Sequence, residues 1–530
     1  MQTLPAQAEH PLAAESTSHP KGLSVLFTTE MWERFSFYGM RAIMKLYMVK
    51  ALLFSEADSS NLYGSYLGLV YLTPLLGGYV ADRYWGNRRS IMVGGLMMAL
   101  GQFVLFASAS SYQNVSFSHM AFYTGLALLI FGNGFFKPNI SSMVGNLYPA
   151  RDRRIDVAYT IFYMGINLGA TFAPIVCGYF GDTGRPADFK WGFLLAGIGM
   201  LLGTATFEFL KGRYVVTPEG AALGAKPERP PAQSAGDAAV NNRQNLMLMA
   251  LFVGVFVLLY FVVLDRKIID SLIYSAMVVV PIAVLADKSL TSVERRKINV
   301  VLIIGFFVIF FWAAFEQAGN SLTTFADKQT DRQLGSFLVP ASFFQTINPF
   351  GIIIFAPVFA VLWTWLSKRG WEPSSPLKMA YGLALLALGY LVIAFGVKGV
   401  TATTKVSMFW LTAMYLLHTW GELCLSPIGL ALVNKLAPAR LASLMMAVWF
   451  LAIATGNKFS GTLGALYPEP GKPAPHLAGF EITGLYEFFM VFVVLCGATA
   501  FLLLLIYRKL TKMMEDDETT TGVAPMIRQA

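Results

Sequence analysis

Apolar runs of about 20 residues, the length that crosses a bilayer as a helix, recur along this 530-residue chain from Leu23 to Tyr507. In lipid every backbone N–H and C=O must find its partner inside the segment, so such runs are read as membrane-spanning helices. Composition agrees, with 55% hydrophobic and only 13% charged residues, where a soluble domain carries about a quarter charged. No stretch between the runs is long enough for an independent soluble domain. The expected fold class is therefore an all-α polytopic membrane protein.

Hydrophobicity predicts fourteen spans in three groups: six between residues 23 and 210, two between 246 and 285, and six between 298 and 507. The last group includes expected spans Ile298–Phe325 and Phe337–Leu366. The corresponding organisation is a tail (1–22), a six-helix bundle (23–213), a polar Pro/Ala/Gly-rich linker (214–245), an inserted two-helix hairpin (246–287), a second six-helix bundle (288–512) and a C-terminal tail (513–530). Two six-helix bundles with a site near midplane between them are a recurrent plan of secondary transporters. An insertion at the middle of the chain leaves both bundles whole.

The net charge of +9 is distributed by topology. Basic residues cluster in alternate connections: Arg83, Arg88 and Arg89; Arg151, Arg153 and Arg154; Lys211 and Arg213; Arg295, Arg296 and Lys297; Arg508, Lys509 and Lys512. The connections between these are acidic or sparsely charged, as at Glu56–Asp58. This positive-inside pattern predicts cytoplasmic termini and removes the argument for a nucleic-acid partner. Cys177, Cys424 and Cys496 lie inside apolar runs and are too few for a disulfide framework or metal site. Gly132 and Gly134 follow no strand and precede no Walker pattern, so no nucleotide or other cofactor is expected.

Ionisable residues inside spans are the functional signal, since each costs at least about 2.5–3.5 kcal/mol at the bilayer centre. The first span contains Glu30, Glu33, Arg34, Tyr38 and Arg41 at three- and four-residue intervals, one helical face. Two carboxylates beside a guanidinium form a cluster of adjustable proton affinity, suited to a proton relay. A static network bracing the bundle also accounts for Glu30, Glu33 and Arg34, but leaves Arg41 over. The fourth span holds Lys137-Pro138, where a lone cation stands at a proline bend. Trp312-Ala-Ala-Phe315-Glu316 and Glu422 with Ser426 lie in the second bundle. Arg41 and Lys137 on one side, Glu316 and Glu422 on the other, are candidates for pairs that close across a cavity and latch one conformation; which pairs with which stays open.

Three motifs together resemble the proton-dependent oligopeptide transporter (POT) family of the major facilitator superfamily. They are Glu30-x-x-Glu33-Arg34-Phe35 with Tyr38-Gly39, Phe135-Phe136-Lys137-Pro138-Asn139, and Phe162-Tyr163-Met-Gly-Ile-Asn167-Leu-Gly169. The inserted hairpin is similar to that of bacterial members, and Phe37 departs from the tyrosine many members have. The segment Gly77–Arg89, with Asp82, Arg83 and Arg88, resembles the superfamily's loop signature, in which an acidic residue meets the basic ones and controls helix sliding. The resemblance implies a symporter in the bacterial inner membrane that imports di- and tripeptides with protons by alternating access.

It also implies residue roles. Glu30, Glu33 and Arg34 would couple protons, and Arg41 and Lys137 would face the peptide carboxylate. Asn167 and Asn348 would bond its backbone, while Glu422 would hold its amino terminus. Tyr38, Tyr71 and Tyr163 resemble pocket tyrosines, and Trp312, Phe315 and Trp449 aromatic walls. The alternative within the fold is a carrier of nitrate or another small anion, against which the buried carboxylate of Glu422 argues. A membrane enzyme would need a nucleophile–base or metal-ligand pattern, and none joins His418 to the carboxylates.

Overall fold

The computed structural model describes residues 18–149, 152–226, 235–401 and 404–515. Most of both expected tails, and 227–234 of the expected linker, lie outside the described residues. The fold is all-α; among the described residues the β structure is three two-stranded pairs and one isolated bridge at helix connections. In chain order the long helices are α1 (Lys21–Lys50), α2 (Glu56–Leu72, continued by Pro74–Val80), α3 (Gly86–Ser110), α4 (Val115–Gly145), α5 (Ile155–Gly181) and α6 (Phe189–Tyr214). Next come α7 (Ala235–Leu258) and α8 (Ile268–Leu285). The last six are α9 (Ser292–Phe315), α10 (Ile347–Lys368), α11 (Ser375–Gly396), α12 (Met408–Leu436), α13 (Ala442–Gly464) and α14 (Leu485–Met514).

Among the described residues twelve segments are long and apolar enough to cross a membrane. The expected count was fourteen. The twelve do not include α1, whose apolar surface is broken by Glu30, Glu33, Arg34, Arg41 and Lys45. They take α2 and α3 as one 55-residue stretch, Glu56–Ser110. At 1.5 Å per residue that stretch measures about 80 Å, over twice the hydrocarbon thickness. It turns at Gly86, which sits at φ 74°.

Three element boundaries differ from expectation for physical reasons. Helix α7 is already formed at Ala235, inside the expected linker, because hydropathy marks where lipid begins and not where helical bonding begins. The span expected at Ile298–Phe325 breaks: α9 stops at Phe315, a 3-10 turn covers Glu316–Gly319, and a short helix runs Ser321–Lys328. Phe337 and Leu338, expected to open the next span, form an exposed strand paired with Gln333–Leu334. Their apolarity is genuine, but α10 starts only at Ile347.

Helix α1 packs on α5 and α6, and α3 on α4 and α6. In the second bundle α11 packs on α12 and α14, and α9 on α13. Small residues permit close helix approach where no hydrophobic force drives it. At the α2–α4 contact a Cβ on Gly77 would lie 1.9 Å from the carbonyl oxygen of Gly134. Pro138 explains that carbonyl's position, since it has no N–H to bond the residue four before it.

The bundles meet along α2–α13 and α5–α10. Several ion pairs joining them gather at the end away from Lys21 of α1 and Met514 of α14. Lys50 Nζ lies 2.7 Å from Asp327 Oδ1. Glu56 bridges Lys45 (3.2 Å) of its own bundle and Lys328 (2.7 Å) of the other. The Ser342 backbone N–H donates to Asp182 at 3.1 Å. This end is closed.

Candidate functional site

A cavity of about 300 Å³ lies between the bundles, the size of a small-ligand site. From α1 it receives Glu30, Arg34, Tyr38 and Arg41; from α2, Tyr71; from α4, Lys137; from α5, Tyr163 and Asn167. The second bundle supplies Trp312, Phe315 and Glu316 from α9 and its turn, Asn348 from α10, Glu422 and Ser426 from α12, and Trp449 from α13. Every residue singled out for substrate binding therefore lines one space. The helical stripe on α1 supplies two of them, Tyr38 and Arg41, and brings Glu30 and Arg34 of the coupling cluster to the same wall.

Glu33 is the exception on α1. It is fully buried and bonded to Arg34, and it faces α4, where Asn133 Nδ2 donates to it at 3.4 Å. Glu30 is placed differently: Oε1 lies 3.3 Å from Arg34 Nε, while Oε2 is buried without a hydrogen-bond partner among the described residues. One nitrogen of Arg34, Nη2, is likewise unpartnered. The guanidinium sits 5.2 Å over the ring of Phe37, the position where the motif departs from tyrosine.

Of the four candidate latch residues, one pair closes. Arg41 Nη2 lies 2.8 Å from Glu316 Oε2, and Arg41 Nε donates to the Tyr63 hydroxyl at 2.7 Å. Glu316 stands where α9 gives way to the 3-10 turn. Lys137 and Glu422 do not meet. Lys137 Nζ stands 4.7 Å over the Tyr71 ring, and Glu422 accepts from Asn348 Nδ2 at 2.8 Å. Among the described residues no carboxylate lies within ion-pair distance of Lys137. The cavity thus presents a cation from one bundle and a carboxylate from the other, each facing open space. Asn167 donates through Nδ2 to the Tyr163 carbonyl at 2.9 Å, which leaves its side-chain oxygen as an acceptor.

Trp449 lines the cavity but is 2% exposed; its ring fills the space above Gly429. In the loop signature, Asp82 and Arg83 are exposed and meet no basic or acidic partner among the described residues. Arg88 instead donates to the carbonyls of Leu223 (2.7 Å), Lys211 (3.1 Å) and Val215 (2.5 Å), tying α3 to the end of α6.

Gln345, Tyr415 and Ser141 line the cavity without having been singled out. Gln345 Nε2 donates to Thr323 Oγ1 at 3.0 Å and Tyr415 donates to the Ala318 carbonyl at 3.2 Å. Uncharged side chains in spans carry no sequence signal of this kind. His418 also lines the cavity and packs on Tyr390, with ring centroids 4.8 Å apart.

Residues 88–475 match the model of the POT family. A peptide transporter of Yersinia enterocolitica is 33% identical over 522 residues, covering 94% of this chain and 97% of that one. A di-/tripeptide transporter of Lactococcus lactis is 32% identical over 519 residues, with 94% and 97% covered. The crystal structure of a POT peptide transporter bound to alafosfalin superposes with a TM-score of 0.77 at 31% identity, covering 95% of this chain and 97% of that one. The chain belongs to the POT family: it is a multi-pass membrane transporter of the major facilitator type and not an enzyme.

Proposed function

We propose that the protein is a proton-coupled symporter of di- and tripeptides, working by alternating access. The observation that carries this reading is the pairing of free charge across one cavity: Lys137 from the first bundle, Glu422 from the second. A zwitterionic peptide presents a carboxylate and an ammonium at a separation set by its length. Lys137 receives the carboxylate, with Arg41 lining the same cavity. Glu422 and the oxygen of Asn348 receive the ammonium, and Asn167 bonds the backbone. Trp312, Phe315 and the cavity tyrosines accept varied side chains through apolar contact alone. The family and the peptide transporters among the relatives support the same substrate class.

In this reading fourteen helices cross a bacterial inner membrane with both termini in the cytoplasm. The closed end then faces outward and the cavity opens inward. Loading from outside requires Arg41–Glu316, Lys50–Asp327 and Glu56–Lys328 to part. A peptide carboxylate arriving at Arg41 competes with Glu316 for the guanidinium, which links occupancy to gate opening. Glu30, Glu33 and Arg34 exchange the proton.

Blocking the peptide ends tests the charge match. In proteoliposomes, N-acetylation or C-amidation of alanylalanine is expected to weaken its inhibition of labelled dipeptide uptake by about 10- to 100-fold, the loss of one charged hydrogen-bonding contact of about 1.5–3 kcal/mol. Nitrate is expected not to compete. Equal inhibition by free and doubly blocked peptide, or full competition by nitrate, contradicts the assignment.

A further inference from the structure

The inserted hairpin is joined to the transport machinery by a buried ion pair. Asp270, in the first turn of α8, lies 3.1 Å from Lys458 Nζ of α13, and both side chains are removed from solvent. Lys458 stands on the seam where the two bundles meet. Its carbonyl oxygen would lie 2.9 Å from a Cβ on Gly64 and its own Cβ 3.3 Å from one on Gly68, both in α2. The lysine is therefore enclosed by α2 on one side, and Asp270 is its ion-pair partner. Toward the first bundle α8 offers an apolar contact instead: Ile273 Cδ1 rests 2.7 Å from where a Gly68 Cβ would be.

A buried ion pair is costly to break, because each half leaves an unpaired charge; an apolar contact between side chain and glycine can part and re-form. We propose that Asp270 and Lys458 are positioning residues that bolt the hairpin to the second bundle. Helix α8 then travels with that bundle through the cycle, and its seat on Gly68 forms only when the outer end is closed. The hairpin acts as a strap across the α2–α13 seam that favours the inward-facing state. This rests on the alternating-access reading above.

Spin-label distances in reconstituted full-length protein test it. Ile268→Cys reports α8, Lys398→Cys the second bundle and Gln113→Cys the first; all three positions are exposed. With and without alanylalanine, at acid and alkaline pH, the 268–398 distance is expected to hold while 268–113 changes together with the bundle-to-bundle pair 113–398. A hairpin that keeps its distance to Gln113→Cys and changes it to Lys398→Cys overturns the proposal. Asp270→Asn should broaden the 268–398 distribution and lower maximal uptake about tenfold at unchanged KM, and the exchanged pair Asp270→Lys with Lys458→Asp should restore both. An Asp270→Asn variant with native distances and uptake also overturns it. A 113–398 pair that never moves counts against alternating access itself, while the Asp270→Asn arm still decides the bolt.

Discussion

Gly64→Leu is expected to abolish dipeptide uptake by proteoliposomes while leaving peptide binding intact. Helices α2 and α13 meet here backbone to backbone: a Cβ on Gly64 would lie 2.7 Å from both Cα and N of Gly461. No rotamer change relieves a contact with backbone, so the side chain acts as a wedge in the outer seam. Overpacking of this kind costs about 3 kcal/mol, a shift of roughly 100-fold away from the outward-closed state. The contact belongs to one conformation only, so the cost appears as a population shift and not as general unfolding. Gly78→Ala, in the same helix, is the control, since its nearest neighbour would be Pro138 Cβ at 3.9 Å. The expected result is near-native uptake for Gly78→Ala and about 1% for Gly64→Leu. Comparable activities would show that α2 and α13 need not close.

Glu30→Gln is expected to separate peptide movement from proton movement. Glu33 is fixed by Arg34 and Asn133, whereas Glu30 has one oxygen with no partner and borders the cavity. A carboxylate placed this way can take a proton without first breaking a good bond. Glutamine keeps the shape and removes the titration. At zero membrane potential, each coupled proton allows about tenfold accumulation per pH unit, the equivalence of about 1.4 kcal/mol. Native protein should reach that ratio with an acid exterior. The variant should only equalise the two sides, while exchange of labelled for unlabelled dipeptide persists. Undiminished accumulation by Glu30→Gln would move the coupling role elsewhere in the cluster.

The sequence exposed the parts of the site that violate the rules of a lipid environment. Glu30, Arg34 and Arg41 recur at helical spacing, and Lys137 and Glu422 stand alone in apolar runs, so a single chain suffices to find them. Pairing was not legible, because Arg41 and Glu316 meet across two bundles, and an apolar pattern does not encode how one bundle faces the other. Glu56 and Lys328 lie just beyond the expected spans, where a charge is unremarkable until the opposite bundle is seen against it. Phe337 and Leu338 misled for the converse reason, being apolar residues that the chain leaves in an exposed hairpin. Asp270 stands in the first turn of α8, where a carboxylate is common, and only its 3.1 Å approach to Lys458 marks it out.

Proton flux driven by peptide tests the central claim most directly. Proteoliposomes holding a pH indicator, with no initial pH gradient and the interior held negative by a potassium diffusion potential, should acidify inside when alanylalanine is added outside. Alanylalanine blocked at both ends should produce no signal, and neither should Glu30→Gln. Dipeptide uptake of normal rate with no accompanying acidification would contradict the account.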